Sequence, residues 1–382
     1  MPSWKAYGVS HQEQRKSHAV SRTNTHGRPA YVDSPWTEWK ISLTVSTGVG
    51  RTKNRPYEYN CTVMLRIGTA GWHYPSGRGT WNGVFYPARS PRGFDDLAYY
   101  AEHFDTVEVN SSFYGPPRPE VSRAWVRRTP AGFEFSLKLH QQFTHPKMYQ
   151  KAALGDLPDA SAEALAELSR VTAHDVDRFK AGVDPIASAG RLGALLAQFP
   201  ASFHDTPANR EYLDWLLTTF QQYPVAVELR HKEWSDRIGE TLALLGRHRA
   251  AWVQIDEPKF RFSIRQNYLP NVNGFYYMRL HGRNAANWWT HKAAEDRYDY
   301  LYSADELKPF AETATAADAI VRKAYLYLNN HFSAKGVVNA AMLKALVGQD
   351  VPGTYPPEMV ERYPELRDIV TVGQPTASRT FF

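Results

Sequence analysis

From residue 65 onward the chain alternates two hydrophobic rhythms. In short runs, apolar residues fill both faces, as in strands covered on each side. In longer stretches they recur every three or four positions, as in helices with one face on a core. The strand pattern predicts Leu65–Trp72, Thr106–Phe113, Phe133–His140, Leu192–Phe199, Val225–Arg230, Ala251–Glu257, Gly274–His281 and Ala324–Asn330. The helical pattern predicts Asp95–Phe104, Glu120–Arg128, His174–Ala189, Asn209–Phe220, Ile238–His248, Ala304–Arg322 and Lys335–Val347. Strict alternation of strand with helix or long connection calls for a parallel sheet with helices outside it. Eight such units in about 285 residues fit a closed (β/α)8 barrel, for which ~250 residues is typical. The fold class is therefore α/β, a TIM-like barrel in one domain. An open doubly wound sheet would carry a glycine-rich phosphate turn after its first strand, and Gly68-Thr-Ala-Gly71 lacks that spacing.

The rhythm is absent from residues 1–63, which are polar and rich in Ser, Thr, Arg and Pro. They are expected to be disordered or a non-native extension, with Met64 as a natural start. The barrel is expected over 64–350, with 351–382 as a C-terminal tail. Charge follows the same division. The segment 1–63 carries nine basic and four acidic residues, so it supplies +5 of the net +6. The near-neutral remainder leaves nucleic acid a possible but disfavoured partner. The single cysteine, Cys61, cannot form an internal disulfide, and no apolar run reaches the 18 residues of a membrane span. A cytoplasmic, monomeric protein away from membranes is the expectation.

Several motifs stand in a fixed order: Ile67-Gly-Thr-Ala-Gly-Trp72, Thr106-Val-Glu-Val-Asn-Ser-Ser-Phe-Tyr114, Phe135-Ser-Leu-Lys138 with Thr144-His145, Gln198-Phe-Pro200, Val227-Glu-Leu-Arg230 with Trp234, Arg279-Leu-His-Gly282 and Asn329-Asn330. On these motifs the chain resembles the YecE-like family, domain of unknown function number 72, over Leu65 to Val347. The resemblance implies a TIM-like barrel and no established reaction.

Working residues of such a barrel sit where its strands end, at the C-terminal face. Alternation of side chains puts Glu108 and Asn110 there from the second strand, Lys138 and His140 from the third and Gln198 from the fourth. Glu228 and Arg230 follow from the fifth, Asp256 from the sixth, and Arg279 and His281 from the seventh. Asn329 and Asn330 end the eighth, in a phase the pattern leaves open. Trp72 and Tyr114 flank the same mouth, and the loop 282–302 brings Trp288 and Trp289 as a candidate lid, with tyrosines that pack the loop. Buried ion pairs stabilise poorly, so many charges at one mouth favour a binding pocket over a mere closure device. Lys138, Arg230 and Arg279 point to a small anionic substrate, with Glu108, Glu228, Asp256, Lys138 and His281 as acid–base candidates. The expected activity is a hydrolase or lyase without cofactor or metal. The alternatives are a metal-dependent nucleic-acid phosphodiesterase, using His140, Glu228, Asp256 and His281 as ligands, and a non-catalytic adaptor. No HExxH, GxSxG or phosphate-loop motif is present.

Overall fold

A computed structural model describes residues 64–154, 167, 170–288 and 294–374. The segment 1–63, Cys61 included, and Trp289 lie outside these residues. Nine parallel strands form the sheet: β1 Met64–Ala70, β2 Thr106–Val109, β3 Glu134–Lys138, β4 Leu192–Gln198, β5 Val225–Glu228, β6 Ala251–Trp252, β7 Gln254–Asp256, β8 Phe275–Leu280 and β9 Lys323–Leu328. Their order is β6-β5-β4-β3-β2-β1-β9-β8-β7. The two ends of that order are halves of one extended segment, separated by Val253. β6 pairs with β5 and β7 pairs with β8, so the sheet curls into a nearly closed TIM-like barrel. The sixth strand expected from the sequence is thus broken into two.

The break has a visible cause. The segment after β7 doubles back and its side-chain amides take the place of ladder partners. Asn271 accepts from the Trp252 amide at 2.7 Å and donates to the Ala250 carbonyl at 3.0 Å. Gln266 accepts from the Ile255 amide at 2.9 Å and donates to the Val253 carbonyl at 2.7 Å.

Capping fixes the helices. Asp95 caps Asp96–His103, and Thr172 and Ser303 form capping boxes on Ala173–Ser188 and Ala304–Asp318. The predicted strands overrun the observed ones by one to four residues at their C-terminal ends. There the chain leaves the ladder to present side chains; Ser111–Phe113, for instance, turns into a 3-10 helix. Of the segment 351–382, set apart from the barrel in the sequence, the described part 351–374 buries Tyr355, Met359, Tyr363 and Leu366 in the same core.

The barrel interior is unusually polar. In its middle layer the Tyr327 hydroxyl meets Thr106 Oγ1 at 2.7 Å and Ser136 Oγ at 3.0 Å. Tyr325 occupies the layer below, nearer the N-terminal ends of the strands. Gly193 on β4 makes room for it, since a Cβ there would lie 3.2 Å from the Tyr325 ring and 2.8 Å from Ser136 Oγ. Among the described residues no helix is long and apolar enough to cross a membrane.

Candidate active site

The top layer of the barrel is an ion cluster built on Arg279, next to the C-terminal end of β8. Its guanidinium spans the barrel. Nε and Nη2 donate to the two oxygens of Glu108 at 2.9 and 2.7 Å, and Nη1 donates to Glu228. Tyr277, two residues earlier on β8, completes the Glu108 shell through its hydroxyl at 2.7 Å. Period-two alternation explains why these residues meet: 277 and 279 on β8, 108 on β2 and 228 on β5 all point inward. Arg279 is only 1% exposed, and each of its nitrogens has a partner.

Glu228 is the hub toward the mouth. Burial alone would raise its carboxyl, but Arg279, then Arg230 and His281, outweigh that and hold it well below the usual carboxylate range. Arg230 approaches the same carboxylate at 2.6 Å and also reaches Glu257 at 3.1 Å. Glu257 responds in the opposite direction. Burial raises its carboxyl, and Arg230 offsets only part of the rise. His281 is fully buried, with Nε2 3.3 Å from both Arg230 and Arg279 and Nδ1 2.8 Å from the Asn329 amide. Burial drives its imidazole down to about 3, so it is neutral at physiological pH.

Lys138 differs from all of these. Its ammonium lies 3.9 Å from the centroid of the Phe113 ring and meets no hydrogen-bond acceptor or ion-pair partner among the described residues. By surface area it keeps some solvent contact, yet it is hemmed in by protein. Burial, then repulsion from Arg279, lowers its pKa to about 7 despite attraction from Glu228 and Glu108. His145 stands close enough to feel Lys138 and Arg230, and it too is lowered to about 3, first by burial. Two more polar atoms near the strand tips are buried without a partner: Asn110 Oδ1 after β2 and Gln198 Oε1 at the end of β4.

The remaining predicted residues, Asn329 apart, fall elsewhere. Asp256 is bound by Arg283 at 2.8 and 3.1 Å and by the Tyr302 hydroxyl at 2.7 Å, so it clamps the loop after β8. His140 caps the short helix Gln141–Thr144 and packs against Tyr149, with Arg178 and Asp175 as its nearest charges. Asn329 points into the cluster. Asn330 instead ties the Tyr300 carbonyl to Asn339, at 2.9 and 2.7 Å. Trp72 packs edge-on against Trp125 at 5.6 Å, on the helical layer. Tyr114 stands at the rim, 68% exposed. Trp288 is buried near the His281 ring, while Tyr300 and Tyr302 are spent on Glu306 and Asp256.

Sequence reasoning missed Glu257, Tyr277, His145 and a rim stack in which His331 lies between Tyr74 and Tyr298, at 4.4 and 4.6 Å. Tyr277 was within reach, since it shares the inward phase of Arg279. The others depend on loop paths that strand periodicity does not encode. Two surface clefts, of about 560 and 490 Å3, lie between outer helices around Trp215 and Leu346. Neither is lined by a residue of the ion cluster.

Comparison with known proteins places the whole barrel in one context. The family model described as "Protein of unknown function DUF72" matches residues 66–362. Protein YunF of Bacillus subtilis is 24% identical over 307 residues, covering 78% of this chain and 99% of that protein. Protein YecE of Escherichia coli is 30% identical over 173 residues, 45% of this chain and half of its own length. A crystal structure of a DUF72 family protein from Thermotoga maritima superposes with a TM-score of 0.62 at 30% identity, covering 75% of this chain and all of that one. One from Enterococcus faecalis gives a TM-score of 0.60 at 24% identity, covering 74% and 95%.

Proposed function

The chain belongs to the DUF72 family, and from that premise and the geometry of the barrel mouth we propose that it is an enzyme acting on a small anionic substrate. The class is a phosphorylated or carboxylated metabolite, and the reaction a hydrolysis or an elimination assisted by proton transfer. The observation that carries this reading is the ammonium of Lys138, which faces the Phe113 ring but has no hydrogen-bond acceptor or ion-pair partner among the described residues. A buried cation beside two arginines is costly unless something else compensates it, and every other charge of the cluster already has a counterpart. An anion resting between Lys138 and Arg230 supplies that compensation, and it would offer donors or water to Asn110 and Gln198.

The roles then divide. Arg279 organises the site and has no nitrogen to spare for a ligand. Glu108 and Glu228 hold it in place, and Glu228, kept strongly ionised, is a poor base. Lys138, poised near neutral pH, is the group suited to exchange a proton with substrate. Arg230, at the rim, steers and fixes the anion.

The test is an anion panel of phosphate, sulfate and mono- and dicarboxylates, followed by thermal denaturation of the full chain and of Lys138→Met. Stabilisation of the wild type that the variant loses supports the proposal. Equal response of both proteins, or none in either, overturns it.

A further inference from the structure

On the same face of the barrel, but turned outward, the loops after β4 and β5 bring a second set of side chains together. Arg230 points into the mouth, so the next residue, His231, points away from it. Its ring lies 4.1 Å from that of His204, centroid to centroid. Between the two sits Glu233, whose Oε2 is 3.1 Å from His204 Nδ1 and 3.5 Å from His231 Nδ1. Among the described residues, His204, His231 and Glu233 form a group whose ligating atoms all lie within 4.8 Å of one another.

These spacings are informative. Around a tetrahedral zinc ion with ligands at ~2.0–2.2 Å, neighbouring ligand atoms are separated by about 3.3 Å. Both measured edges bracket that value. Without an ion the group is held by ordinary contacts, His204 Nδ1 with Glu233 Oε2 at 3.1 Å and the Glu233 amide donating to His231 Nδ1 at a long 3.4 Å, and a bound metal would take their place. Glu233 Oε2 already accepts from the Asp205 amide at 3.1 Å, which orients it as a second-shell contact orients a ligand.

The backbone that carries the three residues is rigid. Trp234, fully buried, donates to the Phe203 carbonyl at 2.8 Å and stacks on the Phe203 ring, tying the two loops together beside the ligands. Asp205, next to His204, is buried and pinned by Arg210. His231 itself is paired with Ser263 in an antiparallel bridge. The side chains of His204 and Glu233 remain 48% and 42% exposed, which leaves a fourth coordination position open to solvent.

We propose that His204, His231 and Glu233 form a site for one divalent transition-metal ion of the zinc class, with water or an exogenous ligand in the fourth position. Two imidazoles and one carboxylate are a donor set for zinc or cobalt, and hard cations such as magnesium would not select it. The ion joins the loops after β4 and β5 beside the mouth, without using any residue of the Arg279 cluster.

The experiment takes the full chain, stripped with a chelator, and titrates it with Zn2+ by calorimetry and with Co2+ by visible absorption. The expected result is one tight equivalent, a tetrahedral or five-coordinate cobalt spectrum and a raised melting temperature. His204→Asn and Glu233→Gln should each weaken Zn2+ binding at least about a hundredfold, because even second-shell changes cost 10–100-fold. The metal-free variants are checked by their melting curves. Should Glu233→Gln unfold, His204→Asn decides alone, since that side chain is half exposed. Binding that persists unchanged in the variants, as it would at His11, His18 or His26 of the N-terminal segment, overturns the proposal, and so does an absence of binding to the wild type. Neither result bears on the response to anions, which rests on Lys138.

Discussion

The barrel holds two buried ion networks, one at each end. At the N-terminal face Glu134 gathers the Tyr325 hydroxyl at 2.5 Å, Lys323 at 2.6 Å and Arg66 at 3.4 Å, and Arg66 also reaches Asp105 at 2.8 Å. At the C-terminal face Arg279 gathers Glu108 and Glu228, with Tyr277 and Arg230 around them. Both use an arginine, carboxylates and a strand tyrosine, and Arg66 and Glu134 at one end, like Arg279, Glu108 and Glu228 at the other, have almost no exposure. Buried charge therefore does not by itself mark a site. What separates them is the lysine. Lys323 is 38% exposed and paired, whereas Lys138 is hemmed in and unpaired. A closed network holds a barrel end together, and the proposed function requires the upper one to admit an anion.

The comparison can be broken most directly at its centre. Arg279→Met leaves Glu108 and Glu228 facing each other without their shared cation. It should cost about 3–5 kcal/mol of stability, read as a large fall in the denaturant midpoint. A near-native midpoint would mean that the cluster is not an organising element. Next in size are the two proposed ligand contacts. Lys138→Met and Arg230→Met should each weaken binding of the best anion by roughly ten- to a hundredfold, the worth of a charged hydrogen bond at about 1.5–3 kcal/mol. Lys138→Met should do so without loss of stability, because it removes a charge that burial disfavours. Destabilisation with an unchanged anion response in both variants would make the upper network as closed as the lower.

A pH series sharpens the contrast further. The folded pKa of Lys138 is about 7, against 10.5 for a free lysine. Between those values the unfolded chain binds more protons than the folded one, so this residue makes stability rise with pH across that window. The gain is lost progressively as pH falls from about 10.5 to about 7, and below 7 this residue no longer makes stability depend on pH. Lys138→Met should flatten the slope, while anion affinity in the wild type should drop as pH climbs past the same point. The smallest effect is expected at the other end. Lys323→Met removes a partly exposed ion pair and should shift stability by no more than about 1 kcal/mol, with no change in the response to anions.

How far the sequence reveals this site depends on what positions each residue. Glu108, Lys138, Glu228, Arg279 and His281 lie on or just after strands, and simple alternation carries them into one layer. Asp256 obeys the same alternation, but its partners Arg283 and Tyr302 come from a loop whose course no local pattern encodes. It therefore reads as a member of the cluster while serving as a clamp. His140 fails for a related reason: β3 ends at Lys138, and the chain turns before the alternation reaches it. Glu257 and His145 lie just past strand ends, where a single backbone turn decides whether a side chain faces in or out. The metal trio is similarly hidden. The separations of 204, 231 and 233 match no linear motif, and only the pinning of two loops by Trp234 brings them together.

The interruption at Val253 has a consequence for how the closed sheet breathes. Through most of the ladder, Thr69 with the Tyr100 hydroxyl being an exception, a strand amide is held by a neighbouring backbone, so releasing it means separating whole strands. At Trp252 and Ile255 the acceptor is a single side chain, Asn271 or Gln266. A rotamer change in one residue suffices to free such an amide while the rest of the ladder stays intact. Hydrogen exchange at these two positions should therefore proceed through local fluctuation, nearly insensitive to denaturant, while the backbone-paired amides of β1 and β9 exchange only on global unfolding. The cylinder has a seam, fastened by two carboxamides, and it is along this line that the wall would first part.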